Sequence, residues 1–198
     1  MMKPFSSAAL RWVAAAIVLF VLTLLLARVG VPEFSHLVHP LALRGAVGLP
    51  GAKLFNAGAF LLPGISLLLA AHALRPAVQE RGWMARLGLT LAQLSVLAFA
   101  LQGAMPLDQR GVEELTSRLH VSLWMLWWIA FVPAMLLLAL GAKRGKGFAV
   151  FCLGAGLLLP VLTVLAPIGA WVGLAQRLAY AVWLLWWLGA ALWLRRAQ

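Results

Sequence analysis

An all-α integral membrane protein with six transmembrane helices is what this sequence predicts, and three observations carry the expectation. Apolar residues make up 64% of the 198 residues and charged residues only 11%, a balance that no water-soluble domain of this size tolerates. The apolar residues gather in runs near 12–29, 54–75, 83–105, 119–141, 147–166 and 171–194. Each run is close to the roughly 20 helical residues that cross a bilayer core. The basic residues stand in small groups beside these runs rather than on a polar segment. Because the gaps are too short to build a soluble domain, residues 1–198 are expected to form one membrane domain.

Sorting the charges by loop orients the bundle. The N-terminus, the 76–86 and 142–146 loops and the C-terminus, with their flanks, hold Lys3, Arg11, Arg75, Arg81, Arg86, Lys143, Arg144, Lys146, Arg195 and Arg196 against Glu80 alone. The opposite side holds Arg28, Arg44, Lys53, Arg110, Arg118 and Arg177 against Glu33, Asp108, Glu113 and Glu114. The positive-inside rule places the first side, with both termini, in the cytoplasm, and so places the chain in the cell inner (cytoplasmic) membrane. The formal charge of +11 is then a topology signal, and no nucleic acid is expected as a partner. No small-x-small cleavage pattern follows the first run, so it reads as a retained helix. Trp12, Trp83, Trp171 and Trp193 stand at run ends and suit interfacial anchoring. Cys152 is alone and reads as a small buried hydrophobe.

Spans four and six share a pattern. Arg118-Leu119-His120-Val121-Ser122-Leu123-Trp124-Met125-Leu126-Trp127-Trp128 matches Arg177-Leu178-Ala179-Tyr180-Ala181-Val182-Trp183-Leu184-Leu185-Trp186-Trp187 at six of eleven positions, 59 residues apart. The preceding spans close alike, at Met105-Pro106 and Ala166-Pro167. A repeat of helix hairpins, spans three–four and five–six, is therefore expected, and it runs parallel rather than inverted. Within each copy the tryptophans at i, i+3 and i+4 share a helix face. At about 1.5 Å per residue they lie about 8–14 Å below the helix start, too deep for an interfacial belt. Trp124, Trp127, Trp183 and Trp186 thus either wall a pocket open to the outer leaflet or fill the core and face acyl chains.

Polar side chains in apolar spans are costly and point to function. Asn56 opens span two, Gln102 and Asp108 close span three, Arg118 and His120 open span four, and Arg177 lies in the first turns of span six, all near the predicted outer surface. Asp108 can pair with Arg177, and a carboxylate near His120 can orient its ring, a set able to hold a phosphate headgroup or move a proton. The alternative is structural: Asp108 caps a turn after Pro106 while Arg177 neutralises it and snorkels. In the first outer loop, near 30–53, His36 and His39 stand with Glu33. With Asp108 and His120 they offer the nitrogen and oxygen donors of a zinc site, although Pro40 follows directly. No cofactor is expected; zinc on His36, His39 and His120 is the exception to test. His72 is predicted at the opposite face from His120, which argues against a haem clamped between them. Phosphate-binding glycine loops, nucleophile elbows and intramembrane metalloprotease helices are absent from the sequence. Pro63, Pro133 and Pro160 fall inside spans and predict kinks.

Three short segments carry a family likeness: Phe55-Asn56-Ala57-Gly58, Met105-Pro106-Leu107-Asp108 followed by His120, and Gly173-Leu174-Ala175-Gln176-Arg177. In them the chain resembles the bacterial membrane family called domain of unknown function 998, over most of its length. The resemblance implies a six-helix membrane protein with Asn56, Asp108, His120 and Arg177 as its marked polar positions. A distant likeness to the Frag1/DRAM/Sfk1 membrane proteins implies lipid handling.

The expected function is binding or handling of a lipid or lipophile at the outer leaflet. Asn56, Gln102, Asp108, His120 and Arg177 would serve the headgroup and Trp124, Trp127, Trp183 and Trp186 the walls. Membrane lipids and a lipophilic small molecule are the expected partners, with oligomerisation left open. Three alternatives remain: a membrane-embedded hydrolase using Asp108 and His120 as catalytic pair, a proton-coupled permease, and a structural subunit.

Overall fold

Long helices joined by loops make up the described part of the chain. A computed structural model describes residues 4–142, 145–165 and 171–196. Among these residues the elements are α1 (Pro4–Leu25), α2 (Leu41–Arg44), α3 (Ala52–Asn56), α4 (Leu62–Gln79), α5 (Trp83–Gln102), α6 (Leu115–Leu140), α7 (Lys146–Pro160) and α8 (Val172–Arg196). No strand occurs among them. A π-helical turn over Ala57–Leu61 joins α3 to α4, so that Ala52–Gln79 is one continuous helix, and a second π turn over Val161–Leu165 prolongs α7. Both wide turns border a proline, Pro63 and Pro160, whose missing amide hydrogen interrupts the regular hydrogen-bond ladder. Pro133, also expected to kink its span, lies inside an uninterrupted α6.

The stretches Ala8–Leu25, Ala52–Gln79, Trp83–Gln102, Leu115–Leu140 and Lys146–Leu165 are each long and apolar enough to cross a membrane. Helix α8, 25 residues long, is as long as these and carries Gln176 and Arg177 in its first turns. The long helices form a closed ring in which α1 lies against α4, α4 against α5, α5 against α6, α6 against α7, α7 against α8, and α8 back against α1. Close approach of α5 to α6 depends on Gly88, where a Cβ would come within 3.0 Å of the Ala134 carbonyl oxygen. Small residues at such crossings let backbones meet and gain dispersion contacts, which in lipid replace the hydrophobic drive between helices. The outward faces are apolar, with Leu25, Val150, Leu157 and Leu185 all largely exposed. Water would not tolerate so much uncovered apolar surface, and a bilayer does.

Large rings fill the middle of the ring of helices. Phe99 meets Trp183 at 4.7 Å and Phe60 at 5.4 Å between centroids. Trp127 meets Tyr180 at 4.9 Å and Trp183 at 5.7 Å, and Phe131 meets Trp186 at 5.3 Å. Trp127, Trp183 and Trp186 are thereby fully buried. The two tryptophan stripes face each other across α6 and α8, so for these three residues the core-filling alternative describes their place, and tilted or edge-on ring pairs add to their burial. Of the repeat, the Ala166-Pro167 end lies outside the described residues, as do the loop bases Lys3, Lys143 and Arg144.

Candidate functional site

The chain between α1 and α3 is too long for a tight turn, and it folds back over the ends of the helices at one end of the bundle. Two arginines clasp it there. Arg44, at the end of α2, is buried. It donates from Nε to the Ala27 carbonyl at 2.6 Å and from Nη2 to the Val29 carbonyl at 3.0 Å, with its guanidinium 5.3 Å from the centre of the Phe55 ring. These carbonyls continue the C-terminal end of α1, where helix geometry leaves acceptors unpaired and the dipole favours a cation. Arg177 holds the far side of the loop: Nε donates to His36 Nδ1 at 3.1 Å, and Nη1 donates to the carbonyls of His39 at 2.9 Å and Gly173 at 2.7 Å. The guanidinium lies 5.4 Å from the Phe34 ring centre. Both contacts are cation–π geometry.

Further hydrogen bonds seat the cap. Asn56 Nδ2 donates to the Gly45 carbonyl at 2.8 Å, Leu41 N to Gln176 Oε1 at 2.6 Å, Leu174 N to the Leu37 carbonyl at 3.0 Å and Val47 N to the Leu107 carbonyl at 2.8 Å. Gly173 permits the approach, because a Cβ there would lie 2.8 Å from the carbonyl oxygens of Leu37 and His39. Asn56 and Arg177, expected at a headgroup, therefore spend their hydrogen bonds on the loop.

The expected pairing of Asp108 with Arg177 does not form. Asp108 Oδ1 accepts from the Arg110 backbone N at 2.9 Å and from its Nε at 3.1 Å, while Oδ2 accepts from Arg110 Nη2 at 2.9 Å. Arg110 also reaches Glu114 at 3.0 Å. The reason is local: Arg110 is two residues away in the same turn, whereas Arg177 is held by the loop. The hydrogen bonds from Arg110 keep the Asp108 carboxyl below its ordinary range.

His120 is buried on α6, and its Nδ1 lies 2.8 Å from the Met105 carbonyl oxygen and 3.1 Å from that of Gln102. Carbonyls only accept, so Nδ1 carries a hydrogen, and in the neutral tautomer Nε2 bears the lone pair. Two backbone carbonyls, rather than Asp108, orient the imidazole. Gln102 is itself buried, with Oε1 accepting from the Tyr180 hydroxyl at 3.4 Å and Nε2 without a partner among the described residues.

His120 forms one wall of a cavity of about 240 Å³ where α6, the π turn after α7, the start of α8 and the cap meet. Trp124, Gln176, Leu107, Leu162 and Val172 are among the other walls. Of the residues expected to bind a ligand, His120 and Trp124 line this cavity; Asn56, Gln102, Asp108, Arg177, Trp127, Trp183 and Trp186 do not. Gln176 and Thr163, which do, carried only the ordinary signal of a polar residue in an apolar run.

Of the three histidines of the zinc reading, His36 and His39 both lie against the Phe34 ring and His120 stands apart on α6. His36 Nδ1 accepts from Arg177 and His39 Nδ1 accepts from Ser35 N at 3.0 Å, while His120 faces the cavity on another element. Among the described residues no three His, Cys, Asp or Glu side chains converge as ligands. Comparison with protein-family models, curated proteins and solved structures finds no match to this chain.

Burial, and next to it the Arg177 charge, lowers the His36 pKa from the ordinary 6.5. The docked ring is neutral and accepts from Arg177. Above about pH 6.5 the docked and released loops both carry neutral His36, and the contact contributes in full. As pH falls through 6.5 the released loop takes up a proton that the docked one refuses, so docking weakens with acid. The melting temperature in detergent should therefore be level from pH 8 to about 7 and decline below about 6.5, with a shallower decline in His36→Gln; an identical decline in that variant would assign the effect elsewhere.

Proposed function

We propose that the chain is a six-span, multi-pass protein of the cell inner membrane that binds a lipid or other lipophile from the outer leaflet in the cavity of His120, Trp124 and Gln176. Both termini are cytoplasmic in this reading, and the capped end faces outward. The segregation of basic residues supports the orientation, and the length of α8 supports its counting as the sixth span.

One observation carries the binding reading. A buried His120, its Nδ1 hydrogen tied to two carbonyls, is one wall of a cavity whose other walls are mostly apolar, and in the neutral ring its Nε2 is an acceptor. Such cavities bury an apolar body and orient it through few polar groups. The matching ligand is a lipophile with a hydroxyl or amide N–H to donate. The particular hydrolase or relay expected from the sequence, with Asp108 and His120 as partners, gains no support, because Asp108 is engaged by Arg110. The segments that resemble domain of unknown function 998 agree with this placement, since Asn56, Arg177 and the Pro106–His120 turn all belong to the cap or its seat.

Native mass spectrometry of the detergent-purified protein is expected to find a co-purifying lipophile. His120→Ala should lower its retention about tenfold, the worth of one buried hydrogen bond. Val121→Trp, at a half-exposed cavity wall, should exclude it without touching the core. Retention unchanged in both variants would end this reading. Orientation is checked separately: a membrane-impermeant maleimide should label Glu113→Cys in intact spheroplasts and Glu80→Cys only after lysis, with buried Cys152 silent. The reverse pattern would invert the topology.

A further inference from the structure

Arg44 presents a charge that the protein leaves uncompensated. It is 4% exposed, its Nη1 has no hydrogen-bond partner among the described residues, and the only ion pairs among those residues belong to Arg110. Of the acidic residues in the loops at this end, Glu33 and Glu113 are exposed, and Asp108 and Glu114 are both taken by Arg110. Backbone carbonyls and the Phe55 face take up part of the guanidinium. A full positive charge out of water nonetheless costs several kcal/mol unless it is paired and its N–H groups are used.

Arg44 is one of the residues lining a second cavity, of about 380 Å³, between the end of α1 and the start of α3, with no wall residue in common with the His120 cavity. The walls are otherwise nearly all apolar, and its rim residues Leu26, Val29 and Leu54 are 61%, 67% and 81% exposed. In a membrane those side chains meet acyl chains. Gly51, with φ +70°, closes the back of the cavity without a side chain, 3.6 Å from Arg44 Nη2 at the place a Cβ would take. On the far side of Gly51 and Leu54 a neighbouring cavity of about 450 Å³ carries the exposed amine of Lys53, a second cation beside the same rim.

We propose that this cavity is a site for an anionic amphiphile, its carboxylate or phosphate oxygens against Arg44 and its acyl chain leaving past Leu26, Val29 and Leu54. A guanidinium with spare N–H groups recognises an oxyanion, and charge-assisted bonds of this kind are the stronger ones. The apolar rim selects an oxyanion that carries a chain. This site rests on the membrane reading but not on the His120 cavity, which has other walls and an acceptor rather than a cation.

The test is lipid retention by the full chain, read by native mass spectrometry after exchange into detergent with defined lipids. The wild type should keep one dioleoylphosphatidylglycerol or one oleate about tenfold more readily than dioleoylphosphatidylcholine, as expected for a charge-assisted bond. Arg44→Gln should abolish the preference. Because Arg44 also holds the loop, Leu54→Glu serves as the second variant: it sets a carboxylate on the exposed rim, leaves the core untouched, and should likewise cost about tenfold. His120→Ala should leave the preference intact. Equal retention of phosphatidylcholine, a preference that survives Leu54→Glu, loss of it in His120→Ala, or displacement of the lipid by millimolar inorganic phosphate would each overturn the proposal.

Discussion

Two guanidinium groups clasping a loop through backbone carbonyls are what the functional end of this molecule depends on. Arg44 draws the loop onto the end of α1, and Arg177 draws it onto the start of α8. Neither has a carboxylate partner among the described residues; each stacks on a phenylalanine and donates to two backbone carbonyls, while Arg44 Nη1 and Arg177 Nη2 are left without a partner among the described residues. The polar groups of this loop find partners in arginine, Asn56 and Gln176. Both cavities exist because the cap is held where it is: each has a wall of cap residues and a wall of helix residues.

Beneath the cap the aromatic core gives the clasp something rigid to close against. Trp127, Trp183, Tyr180, Phe60 and Phe99 interlock at the centre of the helix ring, and His120 stands at its upper edge, 6.2 Å from the Phe60 ring centre in an edge-on contact. Packing of this density holds α6 and α8 apart by the width of their indole rings. At the end of α7 the Pro160 π turn brings Leu162 and Thr163 to the gap between α6 and α8, which remains as the cavity. The polar ring and the tryptophan stripes thus divide the labour: the deep indoles set the spacing, and only Trp124, one turn higher on α6, reaches the cavity.

Much of the architecture was legible in the sequence, because bilayer thickness and hydropathy act residue by residue. The last five apolar runs lie within four residues of the ends of their helices, whereas the first, 12–29, is set late against α1 at Pro4–Leu25, and the expected polar positions Asn56, Gln102, His120 and Arg177 do gather at one end of the bundle. What the sequence could not convey was partnership. Asp108 had two arginines to choose between, and the choice of Arg110 followed from a turn whose conformation no periodicity encodes. In the sequence Arg44 counted only as a charge on the outer side, and it is buried. The spacing of the tryptophans allowed a pocket as well as the favoured packing, and Trp127, Trp183 and Trp186 are packed in the core. His36 and His39 suggested a metal by spacing alone, yet each ring nitrogen that can be assigned already serves the loop.

The claim on which the rest stands is that the loop is a fixed cap rather than a mobile connection. Hydrogen exchange of the protein in nanodiscs measures this directly. The amides of Leu41, Val47 and Leu174, whose acceptors lie across the cap, should be protected in the wild type, and Arg177→Ala should release Leu41 and Leu174 while leaving the α5 and α6 amides unchanged. Exchange of residues 36–47 at the rate of unstructured chain in the wild-type protein would contradict the account.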